Sequence, residues 1–521
     1  RADPGNARTY YSRMAQSALT LFRDDEAERY AEKAVQLDRD DAEAQKRLGD
    51  LHRAQQDLQR AITGYRRAIE LDPRAFPIYL KLADIHLAHG QSDPADRLLL
   101  EVIRFCADDD LVARAARSSL QIHLGEGKAE QLESVLLTAA LGDPQRTVFR
   151  RLLVEVYSAL VEGLQGPAAA GKPGTREARQ ELAAVGRRAL RPLLDALWDS
   201  EPEQRDGAIR LLGELANPNA AGPLLAFAER EGEEGARRRA LIAAGRAADE
   251  RHASRFAAIA REEEGLLAGA AAWALYRLRG SEARLALREL LRSPAPEARA
   301  YAALGLGRMR DTASLKGMQR LARGDPDRNV RLCALLGLGY LEETASVPLV
   351  IEVLHEGQPR IAGAAAVALA RIGDRAGLEA LAEALFWPDR EISRAAWLGL
   401  RLAASAGQGR DAPERPLPPP GDFPSFGETM AALALSSDPA KIEGEPFDRF
   451  LDPIAQAGCA ALRGPVESIR SALGVLSAAG RDRGDEDGDE DGRIDQHRRS
   501  LLARLQPELL NASRHPDAAV R

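Results

Sequence analysis

A run of alternating carboxylates near the end of the 521-residue sequence has the clearest chemical meaning of any local pattern. Asp487, Asp489 and Asp491 are separated by single residues, Gly492 follows, and Asp495 comes three residues after the glycine. Carboxylate oxygens are preferred ligands of Ca²⁺, and a glycine allows a short loop to turn sharply enough to surround one ion. The pattern therefore predicts a weak calcium site formed by these four aspartates.

This spacing resembles the first nine positions of an EF-hand calcium loop, with Ile494 at the apolar position. The position of the closing glutamate is occupied by Arg498. An arginine there removes a two-oxygen ligand and adds repulsion, so we expect weak binding at best. The other reading is an acidic loop without a bound ion, because residues 481–495 hold eight acids against three arginines. Apart from calcium, the sequence predicts no cofactor.

Four histidines form two pairs with the same spacing. His52 and His86 are 34 residues apart, and so are His89 and His123. Each pair falls on equivalent points of successive helix pairs, which lie about 10 Å apart, too far for both rings to bind one zinc ion directly. We therefore expect structural histidines. The sequence also lacks a Gly-x-Ser-x-Gly nucleophile motif and a phosphate-binding Gly-Lys-Ser/Thr loop, which predicts that the chain is not an enzyme.

The distribution of charge argues against nucleic acid as a partner. The formal net charge is −7, and residues 481–495 carry eight acids and three arginines, so most of the excess lies in that segment. The remaining chain is almost neutral, whereas nucleic-acid binding requires a strongly basic face. We therefore expect protein partners.

The cysteines and the apolar runs bear on the cellular compartment. Cys106, Cys333 and Cys459 lie too far apart for a disulfide framework or a metal knuckle, which favours a reducing environment. The most apolar run, LLAGAAAWALY from Leu266, is much shorter than the ~20 residues of a membrane-spanning helix. We predict a cytoplasmic protein, with a periplasmic one as the alternative if a leader precedes Arg1.

The amino-terminal part of the chain repeats with a period of 34 residues. Ala61 and Tyr65 recur in register as Ala95 and Leu99. The period and its small residues resemble the tetratricopeptide repeat, in which pairs of helices pack through Gly and Ala. The resemblance implies a superhelix whose inner wall is lined by the first helix of each pair.

Beyond a linker rich in Gly, Pro and Ala, the period shortens to 30–32 residues. The matching anchor positions are Gly213, Gly245, Tyr276, Gly307, Gly339, Ala370 and Leu400. An arginine stands eight residues before the anchor in four repeats, as Arg205, Arg237, Arg299 and Arg331. This texture resembles HEAT-like repeats of the short bacterial type. Together the two periods predict an all-α double solenoid, a tetratricopeptide superhelix followed by a HEAT arc.

The predicted organisation follows from these periods and from composition. It comprises tetratricopeptide repeats over 8–143, a closing helix over 144–164, a linker over 165–175, HEAT-like repeats over 176–405, a Pro-rich linker or excursion over 406–427, and a further helical segment over 428–521 that contains the acidic loop 481–495. Residues 515–521 repeat the spacing of 325–331, which opens a HEAT-like unit. We therefore expect the array to continue in a longer protein.

Helical spacing places a set of polar and apolar side chains on the inner wall of the tetratricopeptide segment. These candidate partner-binding residues are Arg13, Lys46, Arg47, Asp50, Arg53, Leu80, Lys81, Asp84, Leu87 and Arg114. Lys46 and Arg53 share one helix face, and Lys81 follows one repeat later, so the row of cations predicts a partner segment with acidic residues. Solvated charges without a partner are the other reading of the same row.

These features together predict a non-enzymatic scaffold or adaptor that binds proteins within a bacterial multiprotein assembly. Two alternatives share the HEAT architecture. One is an enzyme similar to the phycobilin lyases, and the other is a nucleic-acid-binding HEAT protein.

Overall fold

The computed structural model describes residues 7–165 and 176–387, except for positions 22, 39, 200 and 357–358, together with scattered residues between 392 and 403. These residues form 22 α-helices and four short 3-10 helices, and no strand occurs among them. The predicted all-α solenoid class is therefore confirmed. The chain divides into two compact units, residues 1–217 and 218–521.

Unit 1 is built from eleven described helices. They are α1 (Ala7–Thr20), α2 (Asp24–Leu37), α3 (Ala42–Ala54), α4 (Leu58–Leu71), α5 (Phe76–Ala88), α6 (Ser92–Phe105), α7 (Asp109–Glu126), α8 (Ala129–Gly142), α9 (Val148–Gln165), α10 (Arg176–Leu197) and α11 (Pro202–Leu215). The first eight follow one another as helix pairs at the predicted period.

Aspartate caps and a close helix crossing explain the regularity of these pairs. The side chains of Asp41 and Asp57 each accept a hydrogen bond from a backbone N–H in the first turn of the helix that follows them. Helices α3 and α4 cross at Gly49 and Gly64, where a Cβ on Gly64 would lie 3.1 Å from the Gly49 Cα atom. The buried ring of Tyr65 fills the space beside Gly49. Small residues at equivalent positions therefore produce the 34-residue period.

Helix α9 has neighbours both before and after it in the chain. It packs against α7 and α8, and also against α10 and α11. Phe149, Leu153 and Tyr157 are buried in these contacts. Unit 1 consequently continues beyond α9 to Asn217.

Unit 2 alternates short and long helices, and four of the short ones follow a 3-10 turn. The described helices are α12 (Ala221–Arg230), α13 (Glu234–Ala247), α14 (Ala253–Glu262), α15 (Gly265–Arg277), α16 (Ser281–Leu290), α17 (Pro296–Arg308), α18 (Leu315–Gly324), α19 (Arg328–Leu341), α20 (Val347–His355), α21 (Pro359–Ile372) and α22 (Arg375–Ala384). The 3-10 turns are Pro218–Ala220, Glu250–His252, Thr312–Ser314 and Thr344–Ser346.

The long helices α13, α15, α17, α19 and α21 form a ladder in which each packs on the next. Their close approach depends on residues without large side chains. A Cβ on Gly339 in α19 would lie only 2.8 Å from the Ala368 Cα atom in α21. The repeat anchors predicted from the sequence are therefore the contact points of the ladder.

Some arginines that precede the anchors join neighbouring repeats. Arg299 donates to both carboxylate oxygens of Asp325, over 2.8 and 2.9 Å, and Arg237 pairs in the same way along the chain with Glu263. Both partners stand 26 residues after the arginine, and Asp325 is buried. A buried charge is stable only when it is paired, so these arginines have a structural role.

Several predicted segments lie wholly or mostly outside the described residues. They are the linker beyond Gln165, the Pro-rich segment 406–427, and the segment 428–521 with its acidic loop. Among the helices that are described, none combines the length and the apolar character needed to cross a membrane.

Candidate functional site

Asp50, on α3, links two helices at the predicted inner wall of unit 1. Its Oδ1 atom accepts a hydrogen bond from the Tyr65 hydroxyl over 2.6 Å and another from Lys81 Nζ over 2.5 Å. Lys81 lies on α5, so this ion pair connects the first helices of neighbouring repeats. The pKa of Tyr65 is raised, first by burial and then by its hydrogen bond to the Asp50 carboxylate. The hydroxyl therefore stays protonated and donates.

The same kind of contact continues along the first helices. Arg114 Nη2 on α7 lies 3.4 Å from Asp84 Oδ2 on α5, and Arg117 on α7 donates two hydrogen bonds of 2.9 Å to Glu155 on α9. The structure thus brings Asp50, Lys81, Asp84 and Arg114 together as cross-repeat pairs. We call the first-helix surface of α3, α5, α7 and α9 the polar wall.

Lys46 and Arg47 pair within their own helix instead. Each lies 3.1 Å from the carboxylate of Glu43, one turn earlier on α3. Such exposed pairs are worth about 0–1 kcal/mol. A partner with carboxylates can therefore replace Glu43 at little cost. Arg53 and Arg13 are both exposed.

The two predicted apolar anchors differ in burial. Leu87 is partly exposed, whereas Leu80 is only 3% exposed. Leu80 therefore belongs to the core and cannot contact a partner unless α5 moves, which corrects its assignment as an anchor. The physical reason is the all-round burial of α5, where Ile78, Tyr79 and Leu82 are buried as well.

A groove of about 840 Å³ extends the polar wall at its α7 and α9 end. It is lined by α7, by α9 and by the first turn of α11, all within unit 1. Its lining includes Arg114, Arg117, Ser118, Gln121, Arg151, Val154, Glu155 and Gln204. The sequence indicated Arg114 alone among these residues. The others were missed because α9 and α11 lie outside the 34-residue period.

Two polar side chains that line the groove have unmet hydrogen-bonding capacity within the described structure. Gln204 is 6% exposed and its Oε1 atom has no donor, and the buried Nε of Arg151 has no acceptor. A buried polar atom left without a partner costs about 1–3 kcal/mol. Both atoms are covered, so a ligand reaches them only when the side chains turn toward the groove. Together they offer one acceptor and one donor, the complement of a peptide main chain.

The end of the long helices in unit 2 carries a column of arginines that sequence reasoning did not single out. Arg246, Arg277, Arg308 and Arg371 each follow a repeat anchor directly. The repeated position was visible in the sequence, but it was taken as part of the general repeat texture. We call these four residues the arginine column.

The histidines engage near neighbours, as structural histidines do. His86 Nδ1 lies 2.6 Å from Gln91 Oε1, and His123 Nε2 lies 3.1 Å from Asp96 Oδ2. In the described parts of the chain no three His, Cys, Asp or Glu side chains are grouped so that they could hold a metal ion. The proposed calcium ligands Asp487, Asp489, Asp491 and Asp495 lie outside those parts, and calcium binding there stays a prediction.

Models of two repeat families match the chain. Tetratricopeptide repeat models match residues 9–41 and 49–90, and a HEAT repeat model matches 253–332 and 318–401. The chain thus has tetratricopeptide repeats followed by HEAT repeats, which confirms the predicted order. Both repeat types support a role in protein interaction. No curated protein sequence matches the chain significantly.

Solved structures similar to the chain include three with long coverage of one partner or the other. PilF of Pseudomonas aeruginosa is 17% identical, over 41% of this chain and 91% of its own, with a TM-score of 0.24. The myosin chaperone UNC-45 of C. elegans, bound to an Hsp90 peptide, is 13% identical over 98% of this chain and 70% of its own, with a TM-score of 0.27. Kap121p is 12% identical over 96% and 53%, with a TM-score of 0.29.

Proposed function

We propose that the chain is a non-enzymatic scaffold that holds segments of partner proteins along the polar wall and groove of unit 1, within a cytoplasmic bacterial assembly. The groove between α7, α9 and α11 is the observation that carries this proposal. Its volume of about 840 Å³ suits several residues of an extended segment. Its free acceptor on Gln204 and free donor on Arg151 match the two groups that every peptide unit presents.

The polar wall supplies the second part of the proposal, a preference for acidic segments. Lys46, Arg53 and Lys81 remain the cations proposed to meet a partner's carboxylates. Lys46 and Lys81 already have carboxylate neighbours in Glu43 and Asp50, so an acidic partner gains only by exchange. Each such exposed contact is worth a few tenths of a kcal/mol up to about 1 kcal/mol. Affinity then rests on the groove, and the wall sets the salt dependence.

Capture of partners from the native host, identified by mass spectrometry, supplies the ligand for the decisive test. The change is Arg151→Ala with Gln204→Ala, and binding of the captured partner is measured by isothermal titration calorimetry. We expect roughly tenfold weaker binding, because two hydrogen bonds to the partner's main chain are lost. Unchanged affinity would contradict the groove as the binding site.

A second variant tests the wall separately. Replacement of Lys46, Arg53 and Lys81 together by Ala is expected to weaken binding at low salt and to flatten its salt dependence, with helicity retained. The matched control is Arg60→Ala with Arg67→Ala on α4, which removes exposed, ion-paired charges from second-helix positions. Equal losses in the control and in the wall variant would show a general effect of charge.

Two alternatives have direct tests. An enzyme similar to the phycobilin lyases would change the absorbance spectrum of an added bilin. A nucleic-acid-binding protein would show salt-sensitive retention on heparin or DNA. We expect neither result.

A further inference from the structure

The arginine column of unit 2 is held together by contacts that each reach back one repeat. Arg277 Nε donates to the Gly245 carbonyl oxygen over 3.2 Å. The Arg308 guanidinium lies 5.0 Å from the ring centre of Tyr276, and that of Arg371 lies 4.0 Å from the ring centre of Tyr340. These contacts span 31 or 32 residues along the chain. The guanidinium groups are therefore positioned by the ladder of long helices rather than left free to spread apart.

Two members of the column have no carboxylate neighbour. In the part of the chain that the structure describes, no acid lies within ion-pair distance of Arg246 or Arg277, although both are exposed. Other arginines of the same unit behave differently, since Arg310 pairs with Glu342 over 2.7 Å and Arg323 with Glu352 over 3.0 Å. Residues 218–387 contain nearly as many acids as bases, so acids are available in the unit but not at this place.

The electrostatic environment of Arg277 is positive. Its pKa is lowered, first by desolvation and next by the charge of Arg246, with Arg308 acting in the same direction. The carbonyl groups at the end of a helix favour a cation nearby, which explains one arginine per helix. They do not explain why the cations of three successive helices approach one another without an acid between them. Repulsion of this kind is relieved when an anion binds.

We propose that the arginine column is a second docking surface, which binds an acidic segment of a partner protein through its aspartate and glutamate side chains. This surface is distinct from the groove of unit 1, and the proposal goes beyond that groove's function. Arginine presents two parallel N–H groups that match a carboxylate, and each guanidinium here is stacked or hydrogen-bonded in place. A row of them one helix apart can take carboxylates that recur along an extended or helical segment.

A protein segment fits this surface better than a nucleic acid does. The column is narrow and consists of four residues, and the unit around it is close to neutral. A nucleic acid carries a continuous line of phosphates and needs a broad basic face to neutralise several of them. A short cluster of carboxylates on a protein matches the small number of unpaired cations.

Fluorescence anisotropy with a labelled octaglutamate peptide and the full chain tests the proposal. The variant is Arg246→Gln with Arg277→Gln, and the control that removes the same charge is Arg310→Gln with Arg323→Gln. We expect the column variant to bind roughly tenfold more weakly in low salt, because two charge-assisted contacts are lost, while the control binds like the wild type. Raising the salt concentration should abolish the difference.

Two further variants keep the result interpretable. Arg246→Lys with Arg277→Lys retains the charge and is expected to retain most of the binding, which separates loss of charge from damage to the ladder. Equal weakening in the column variant and in the control would overturn the proposal, and so would tighter column-dependent binding of single-stranded DNA. Peptide binding that appears only after deletion of 481–495 would assign the column to the chain's own acids and overturn the docking of a partner.

Discussion

Lys81 donates a hydrogen bond of 2.5 Å to Asp50, and this contact joins the first helices of two neighbouring repeats. Asp50 also accepts the hydroxyl proton of the buried Tyr65. One carboxylate therefore fixes both the pairing of α3 with α4 and the stacking of α3 on α5. The wall that we propose for partner binding is at the same time part of the structure of the solenoid.

The two ends of this contact are expected to contribute unequally to stability. Asp50→Ala should lower the free energy of unfolding by about 1–3 kcal/mol, because it leaves the Tyr65 hydroxyl buried without an acceptor. Lys81→Ala should cost at most about 1 kcal/mol, since the ion pair is partly exposed. Urea unfolding followed by circular dichroism measures both values. Equal losses would show that the Tyr65 hydrogen bond has little weight.

The sequence indicated the position of these residues but not their partners. The 34-residue period placed Asp50, Lys81, Asp84 and Arg114 on one wall because equivalent residues of stacked helices share a face. It did not show that Lys81 contacts Asp50, since side-chain pairing between repeats depends on how far one helix is displaced along the next. Leu80 was misjudged for a related reason, because α5 is apolar on nearly all sides and helical spacing alone does not identify its exposed face.

The HEAT segment shows the same division. The anchors were predicted correctly as contact points because only small residues allow such close crossings. The groove beside α9 and α11 could not be predicted, because these helices belong to neither clear period. The acceptor and donor of Gln204 and Arg151 became apparent only from burial in three dimensions.

Replacement of Gly339 by Val tests the close packing of the ladder. The added side chain has no room, since even a Cβ would lie 2.8 Å from the Ala368 backbone, and we expect a loss of roughly 1–3 kcal/mol. Limited proteolysis should show unit 2 cleaved faster, while residues 8–143 stay protected. The control is Gly222→Val on α12, where a Cβ meets no atom within 4 Å. Simultaneous loss of both units would contradict their independent stability.

Two cysteines are expected to be unreactive in the native protein. Cys106 and Cys333 are 3% and 5% exposed, and burial raises the pKa of Cys333 to about 12. The thiolate is the reactive form, so both thiols should react slowly at pH 8 with a disulfide reagent and rapidly in urea. A chain carrying Cys459→Ser removes the third thiol, which lies outside the described residues. Rapid labelling of Cys333 in that native variant would contradict its placement in α19.

The pair of Arg288 and Asp311 predicts how unit 2 responds to acid. Arg288 Nε donates to Asp311 Oδ2 over 2.8 Å, and Asp311 is only 5% exposed. The hydrogen bond from Arg288 holds the pKa of this carboxyl below its ordinary value of 3.8, and the Ser314 hydroxyl acts in the same direction. Folding therefore favours the ionised form of Asp311. Its stabilising contribution is complete above the unfolded pKa and is lost as the pH falls through the lower, folded pKa.

Asp311→Asn should accordingly destabilise unit 2 by a constant amount between about pH 6 and pH 8, and the difference from the wild type should shrink below about pH 4, where the wild-type carboxylate takes up a proton. Urea unfolding at a series of pH values measures this difference. The matched control is Asp249→Asn, because Arg251 lowers the pKa of Asp249 too, but this pair is exposed and solvent weakens its contribution. The control should therefore change stability much less at every pH. A difference for Asp311→Asn that stays constant down to pH 3 would show that the carboxylate contributes through its shape and not through its charge.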